Sequence, residues 1–218
     1  MDALALCCGN AGITEGEGLE THRIGARPGR SEVDPLLDTL GDRRLVVCGT
    51  DADLAAVALR LLRTERLAEV AVGYVTSDRN SAVAELWGLP TEREAALRRA
   101  LGGEVDKVPL VRDDVGGVLV GRGSIGPVRG VAYCDDTQVL RGQASSLEVT
   151  PHPALGLEVT VVRRGLLGRR RVVTTGRAMQ VGCLPVAVRK DGVVHDRQLD
   201  KWIWYRHTED LRLIRGLE

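Results

Sequence analysis

Phenylalanine is absent from this chain of 218 residues, and three tryptophans and three tyrosines carry all of its aromatic rings. Lysine is almost missing too: the basic residues are nearly all arginine, with Lys107, Lys190 and Lys201 the exceptions. Together with abundant Ala, Val, Leu and Gly, this is the coding bias of a GC-rich genome rather than a binding strategy. Net charge is also lacking, since 30 basic residues face 30 acidic ones. No overall field therefore draws the chain to nucleic acid, which is not expected as a partner.

Long apolar runs are lacking as well. None approaches the length that spans a bilayer, and no basic segment precedes a long apolar one as in a secretory leader. Stable membrane insertion is not expected, and the cytoplasm is the expected location. The five cysteines (Cys7, Cys8, Cys48, Cys134, Cys183) are odd in number and have no Cys-x-x-Cys spacing. Set mostly in apolar runs, they read as reduced core thiols rather than zinc ligands or disulfides. His22, His152, His195 and His207 have no i,i+4 partner, so no metal site is expected. What is present, 44% apolar and 28% charged residues, is the composition of a globular chain able to bury one large core or two small ones.

Along the chain, Ala3–Cys8, Leu45–Cys48 and Ala68–Tyr74 read as strands. Val33–Leu40, Asp53–Arg63, Ser81–Leu86 and Thr91–Leu101 read as helices, the last with Thr91 and Glu94 spaced as a capping box. Gly9 to about Gly18 reads as a loop, and Thr21 to Arg30 as a polar connection. Alternating strands and helices imply parallel pairing with helices covering the sheet. Beyond Gly102 the pattern changes to short strands separated by turn residues: Val108–Val111, Gly117–Val120, Val128–Cys134, Ser146–Thr150, Leu157–Arg163, Arg171–Thr175, Ala178–Val181, Val186–Arg189 and Trp202–Tyr205. Such spacing predicts an antiparallel sandwich or barrel. The expected architecture is α/β plus all-β: a small Rossmann-like domain over 1–104 and an antiparallel β-sandwich over 105–218.

Residues 45–62 are the most informative stretch. The apolar run Leu45-Val46-Val47-Cys48 is broken by Gly49, and Leu54 through Leu62 restart with helical spacing. A strand entering a helix through a tight turn is where α/β folds bind phosphate, because N–H groups and the helix dipole point outward there. This turn, Gly49-Thr50-Asp51-Ala52-Asp53, has one glycine and two acids. It reads either as a plain connection with Asp51 or Asp53 as helix N-cap, or as a nucleotide site.

The stretch Val46-Val47-Cys48-Gly49-Thr50-Asp51-Ala52-Asp53-Leu54 resembles the family of diacylglycerol (lipid) kinases and NAD kinases. There a small α/β domain with a Gly-Gly-Asp-Gly-Thr turn precedes a β-sandwich domain, with the nucleotide in the cleft between them. Ala84-Glu85-Leu86-Trp87-Gly88-Leu89-Pro90 is similar to the family helix that follows a Gly-Thr-Gly-Asn turn. Gly176-Arg177-Ala178-Met179-Gln180-Val181, leading to Lys190-Asp191-Gly192, is similar to the strands before its Asp-Gly-Glu turn. The resemblance implies ATP with Mg²⁺ as cofactor, Asp51 as the candidate catalytic residue, and Gly49, Thr50, Asp51, Ala52, Asp53 and Asn80 as nucleotide contacts.

The departures from that pattern bear on activity. Thr50 and Ala52 stand where the family has glycines, and Asp53 where it has threonine. At a separation of about 4 Å, a carboxylate opposing a phosphate costs on the order of 1 to 4 kcal/mol unless a cation intervenes. Val75-Thr76-Ser77-Asp78-Arg79-Asn80 replaces the Gly-Thr-Gly-Asn turn. Val193 stands where lipid kinases carry the glutamate proposed as general base, and valine accepts no proton. Cys7-Cys8-Gly9-Asn10 lacks the lipid-kinase Asn-Pro-x-Ser-Gly signature.

Elsewhere, Asp113-Asp114 and Asp135-Asp136 read first as turn residues and only secondarily as Mg²⁺ ligands. Arg163-Arg164 and Arg169-Arg170-Arg171 flank a turn at Gly165-Leu166-Leu167-Gly168, either a solvated hairpin or a surface for phosphate or anionic lipid. Trp202, Trp204 and Tyr205 read as core anchors, with a strand-edge homodimer as a lesser reading. The expected function is a divergent, catalytically impaired lipid/NAD kinase-like protein binding a nucleotide or related small ligand in the interdomain cleft. The alternatives are an active ATP-dependent phosphotransferase acting on a lipid or nucleotide hydroxyl, and a non-enzymatic scaffold for another protein.

Overall fold

A computed structural model describes residues 2–13, 18–165 and 168–216. The chain divides into two compact units, residues 1–108 with 209–218, and residues 109–208.

In chain order the first unit runs β1 (Ala3–Cys8), β2 (Leu19–Ile24), α1 (Arg30–Asp38), β3 (Arg44–Gly49), α2 (Asp51–Arg63), β4 (Val72–Thr76), α3 (Ala82–Trp87), α4 (Arg93–Gly102) and β5 (Val105–Val108). The second unit runs β6 (Val111–Asp113), β7 (Val118–Leu119), β8 (Gly123–Ile125), β9 (Val128–Cys134), β10 (Thr137–Ala144), β11 (Ser146–His152), β12 (Gly156–Gly165), β13 (Gly168–Gly176), β14 (Ala178–Val186), β15 (Val188–Lys190), β16 (Val193–Val194) and β17 (Leu199–Arg206). The chain then returns to the first unit as β18 (Leu211–Ile214).

The first sheet has the order β2-β1-β3-β4-β18-β5 and is parallel except for the β18–β5 pair. Every residue of β1 is buried, and so are Leu45–Gly49 of β3 and all of β4. That is why these strands are continuous apolar runs rather than alternating ones. Helix α4 lies close on β4: a Cβ at Gly73 would stand 2.6 Å from Ala100 Cβ. Small residues on both elements permit that approach. All five cysteines are free thiols, four of them buried.

The second unit holds two six-stranded antiparallel sheets, β10-β9-β14-β17-β6-β7 and β13-β12-β11-β8-β15-β16. They share one core in which Met179, Trp202 and Trp204 of one sheet meet Leu147, Val149 and Leu157 of the other. The architecture is therefore α/β plus a β-sandwich.

Several local expectations need correcting. Leu19–Ile24, part of a stretch read as loop and polar connection, is an edge strand whose half-exposed side chains hide its pairing with β1. The single strand expected over Val108–Val111 is two, β5 and β6, one in each unit, with Pro109 and Leu110 between them. Helix α4 is capped by Glu92, whose carboxylate accepts from Glu94 N and Ala95 N at 3.0 and 2.8 Å, and not by a Thr91–Glu94 box. Residues 209–218 fall in the first unit because β18 pairs with β4 and β5. The expected loop at Gly9–Gly18 lies partly outside the described residues.

Candidate functional site

The β3–α2 turn is built by a reciprocal cap. Thr50, in extended conformation, is the N-cap of α2, and Asp53 is the third helical residue. The Thr50 hydroxyl accepts from Asp53 N at 3.4 Å, while Asp53 Oδ2 accepts from Thr50 N at 2.7 Å and from Thr50 Oγ1 at 2.8 Å. The cap is thus Thr50 rather than Asp51 or Asp53, a Thr-x-x-Asp version of the capping box.

The other oxygen of Asp53 reaches outside the turn and accepts from Arg27 N at 2.6 Å. Arg27 lies between β2 and α1 with φ of 51°, a left-handed conformation uncommon for a residue with a side chain. The next carboxylate along, Glu32 of α1, accepts from Gly25 N at 2.7 Å and Gly29 N at 3.2 Å, and these bonds hold its carboxyl below the usual range. N–H groups on both loops are thereby taken by the chain's own carboxylates. Asp53 is 3% exposed. Burial, and then the Asp53 charge, push the nearby Cys8 thiol up to about 12.

Asp51 faces the other way. Its Oδ1 accepts from the Tyr74 hydroxyl at 2.9 Å and from the Ser81 hydroxyl. Its Oδ2 accepts from Ala82 N at 2.8 Å and Val83 N at 3.4 Å. Ser81 is the N-cap of α3, its hydroxyl accepting from Ala84 N at 3.0 Å. Asp51 therefore ties the first turn of α2 to the first turn of α3, where a negative charge is favoured by the helix dipole. Burial, followed by the Asp51 charge, holds the Tyr74 phenol protonated far above its usual range. Tyr74, Ser81 and Arg27 were invisible as site residues in the sequence. Only Ser81, ahead of a short helix, carried a local signal, that of an N-cap.

Of the remaining sequence candidates, Gly49 ends β3 and its carbonyl accepts from Ser77 N at 2.8 Å. Ala52 is half-buried in the first helical turn. The Asp51 and Ala52 amides have no intrahelical partner by position. Asn80 sits in an exposed turn, its N–H donating to Asp78 Oδ1 at 2.8 Å. Among the described residues its side chain makes no hydrogen bond to the Gly49–Asp53 turn.

In the second unit, Asp191 is buried at φ 45° and its carboxylate accepts from the N–H groups of Val120, Gly121 and Arg122. Val193 opens the two-residue strand β16. The paired aspartates are turn formers here. Asp113 accepts from Val115 N and Gly117 N at 3.1 and 2.7 Å and pairs with Lys190, and Asp135 accepts from Arg177 N and Ala178 N. Among the described residues no group of three or more His, Cys, Asp or Glu is placed to hold a metal ion. Trp202 and Trp204 share one face of β17 and are 1% and 0% exposed, so both indoles are spent within the unit and unavailable at a dimer edge. No helix among the described residues is long and apolar enough to cross a membrane.

No protein-family model matches the chain, and no curated protein matches it by sequence. Solved structures do. A diacylglycerol kinase from Bacillus anthracis str. Sterne superposes with a TM-score of 0.70 at 10% identity, over 99% of this chain and 97% of that one. An NAD kinase from Archaeoglobus fulgidus in complex with ATP gives 0.57 at 13% identity, over 99% and 94%. Yeast NADH kinase complexed with NADH gives 0.53 at 8% identity, over 100% and 84%. The chain has the fold of the diacylglycerol and NAD kinases.

Proposed function

We propose that this chain is a catalytically impaired, kinase-like protein that binds a nucleotide or related small ligand at the β3–α2 turn without transferring phosphate. The observation that carries the impairment is the Asp53 carboxylate, which takes the Thr50 and Arg27 N–H groups that a phosphate oxygen would otherwise use. Asp51 supports the same reading. A carboxylate has about four lone-pair positions, and Asp51 already meets four donors. An acceptor hydroxyl would have to displace one of them.

The ligand half of the reading rests on the fold. Two proteins of this fold are complexed with ATP and with NADH, and a strand–turn–helix corner favours phosphorylated ligands. Here a phosphate at the corner meets Asp51 and Asp53, so ATP needs a cation beside it and Mg²⁺ is the candidate.

The test is thermal unfolding of the whole chain with ATP, ADP, NAD and NADP, with and without Mg²⁺, paired with a phosphoryl-transfer assay on diacylglycerol and NAD. A ligand at a hundred times its Kd adds about 2.7 kcal/mol to the folded state, a shift of several degrees. Stabilisation without turnover is the expected result. Turnover abolished by Asp51→Asn would overturn the impairment, and a flat panel would overturn the ligand and favour an interaction protein on a kinase fold.

A further inference from the structure

Arg163, Arg164, Arg169 and Arg171 of the β12–β13 hairpin line a groove of about 1100 Å³ within the second unit. Residues 166–167 at its turn lie outside the described residues. In the ladder, Arg164 stands directly opposite Arg169 and Arg163 opposite Arg170, while Arg171 faces Val162. Opposed residues share a face and faces alternate, so Arg164, Arg169 and Arg171 project together with Val162. Across the groove stands Arg129, paired with Gln143 on the β9–β10 ladder.

Two successive Arg–Arg pairs are unfavourable for the hairpin, because like charges directly opposite one another repel. Nothing among the described residues relieves them. Among the described residues Arg129, Arg163, Arg164, Arg169 and Arg171 make no ion pair and no side-chain hydrogen bond. Among the described lining residues the one acid, Glu148, accepts from the Ser146 hydroxyl at 3.0 Å instead. In a chain with no net charge, this wall is a local concentration of unspent guanidinium groups. Guanidinium forks match phosphate oxygens two at a time. The remaining wall, with Ala144, Val162 and Leu184, offers apolar surface to the body of a ligand. The volume is slightly above that of most small-molecule sites, enough for a ligand with several phosphate groups.

We propose that this groove binds a soluble ligand carrying two or more phosphate groups, held by Arg164, Arg169 and Arg171 with Arg129 opposite. This goes beyond the reading of the β3–α2 turn and does not depend on it, because the probe needs no nucleoside.

The experiment is isothermal titration of the full chain with tripolyphosphate at about 0.15 M salt, repeated for Arg164→Ala/Arg169→Ala and for Arg170→Ala, which lies on the opposite face. The wild type is expected to bind one equivalent. Removing two charge-assisted contacts should weaken binding about tenfold or more, with Arg170→Ala near the wild type. Because the double variant relieves repulsion, its unfolding midpoint should not fall, which separates lost binding from lost folding. Absent wild-type binding would overturn the proposal, and so would equal losses in both variants. Sedimentation with phosphatidylglycerol vesicles is the second arm: binding to vesicles but not to tripolyphosphate would also overturn it.

Discussion

Gly49 and Asp53 cannot both keep their positions if Gly49 gains a side chain: a Cβ there would stand 2.5 Å from Asp53 Oδ2 and 2.9 Å from its Cβ. The carboxylate folds back over the end of β3, where the turn's own backbone donors point. The glycine serves this closed arrangement as much as any ligand. Gly49→Ala should destabilise the chain by about 1–3 kcal/mol, as overpacking in a tight site does. Urea unfolding measures it, and an unchanged midpoint would mean Asp53 swings away freely.

Replacing Asp53 by Thr together with Ala52→Gly removes the internal anion and restores backbone approach at the turn. Stability should fall by about 1–3 kcal/mol, because Thr50 N–H and Arg27 N–H lose their acceptor. Thermal stabilisation by ATP with Mg²⁺ should rise above the wild-type value. If it does not, the turn is not a filled phosphate cradle.

Asp51→Asn keeps the shape of the side chain and removes the charge that the α3 amides approach. A loss of about 2 kcal/mol is expected, the range for hydrogen bonds to a charged group. Hydrogen exchange should locate the effect, with protection falling at residues 82–84. A uniform change across the first unit would argue against the tie between α2 and α3.

Alkaline pH should weaken the fold. Cys8 rises from 9.0 to about 12 through burial and the Asp53 charge, and Cys134 to about 11 through burial and Asp135. The unfolded chain therefore gives up these protons first as pH rises past 9.0. Stability is full below that value and declines until the folded thiols also ionise, between about 9 and 12. Urea midpoints should fall from about pH 8 to about pH 10.5, and less steeply in Cys8→Ala. A flat profile would show that neither thiol is held protonated.

Lys190 pairs with Asp113, whose side chain is fully buried, and its Nζ lies 5.6 Å from the centroid of Trp202. Lys190→Ala leaves that aspartate with only its backbone donors, and about 3 kcal/mol is expected from breaking such a pair. Native tryptophan emission should shift as well, since the cation leaves the indole. Loss of stability with unaltered emission would remove the ammonium from the ring's surroundings.

The strands that could be read from the sequence are those buried on both faces, such as Ala3–Cys8 and Leu45–Cys48, where an apolar run is unbroken. Among those missed are the edge strands Leu19–Ile24 and Thr137–Ala144, whose polar residues leave no period to detect, and Leu211–Ile214, a short buried strand whose place between β4 and β5 no local pattern gives. Helix α2 was legible from its Leu and Ala spacing. Its cap was not, because three candidate cap residues lie within four positions and the choice depends on Arg27, 26 residues away. The turn's acids were visible as residue types, but their direction was not. Asp51 turning to Ser81 and Asp53 to Thr50 and Arg27 is decided by chain segments that no local pattern brings together.

The placement of β18 has a consequence for vectorial synthesis. Among the described residues β5 pairs only with β18, and β18 is the neighbour of β4 on that side of the sheet. When a ribosome has released residues up to 108, the first sheet therefore still has an open β4 edge and an orphan β5. The second unit, contiguous over 109–208, can close as soon as it emerges. The unit made first is thus the unit finished last. A protease nick between residue 208 and β18 would leave β18 held to β4 and β5 by non-covalent pairing alone, while the second unit keeps an unbroken chain.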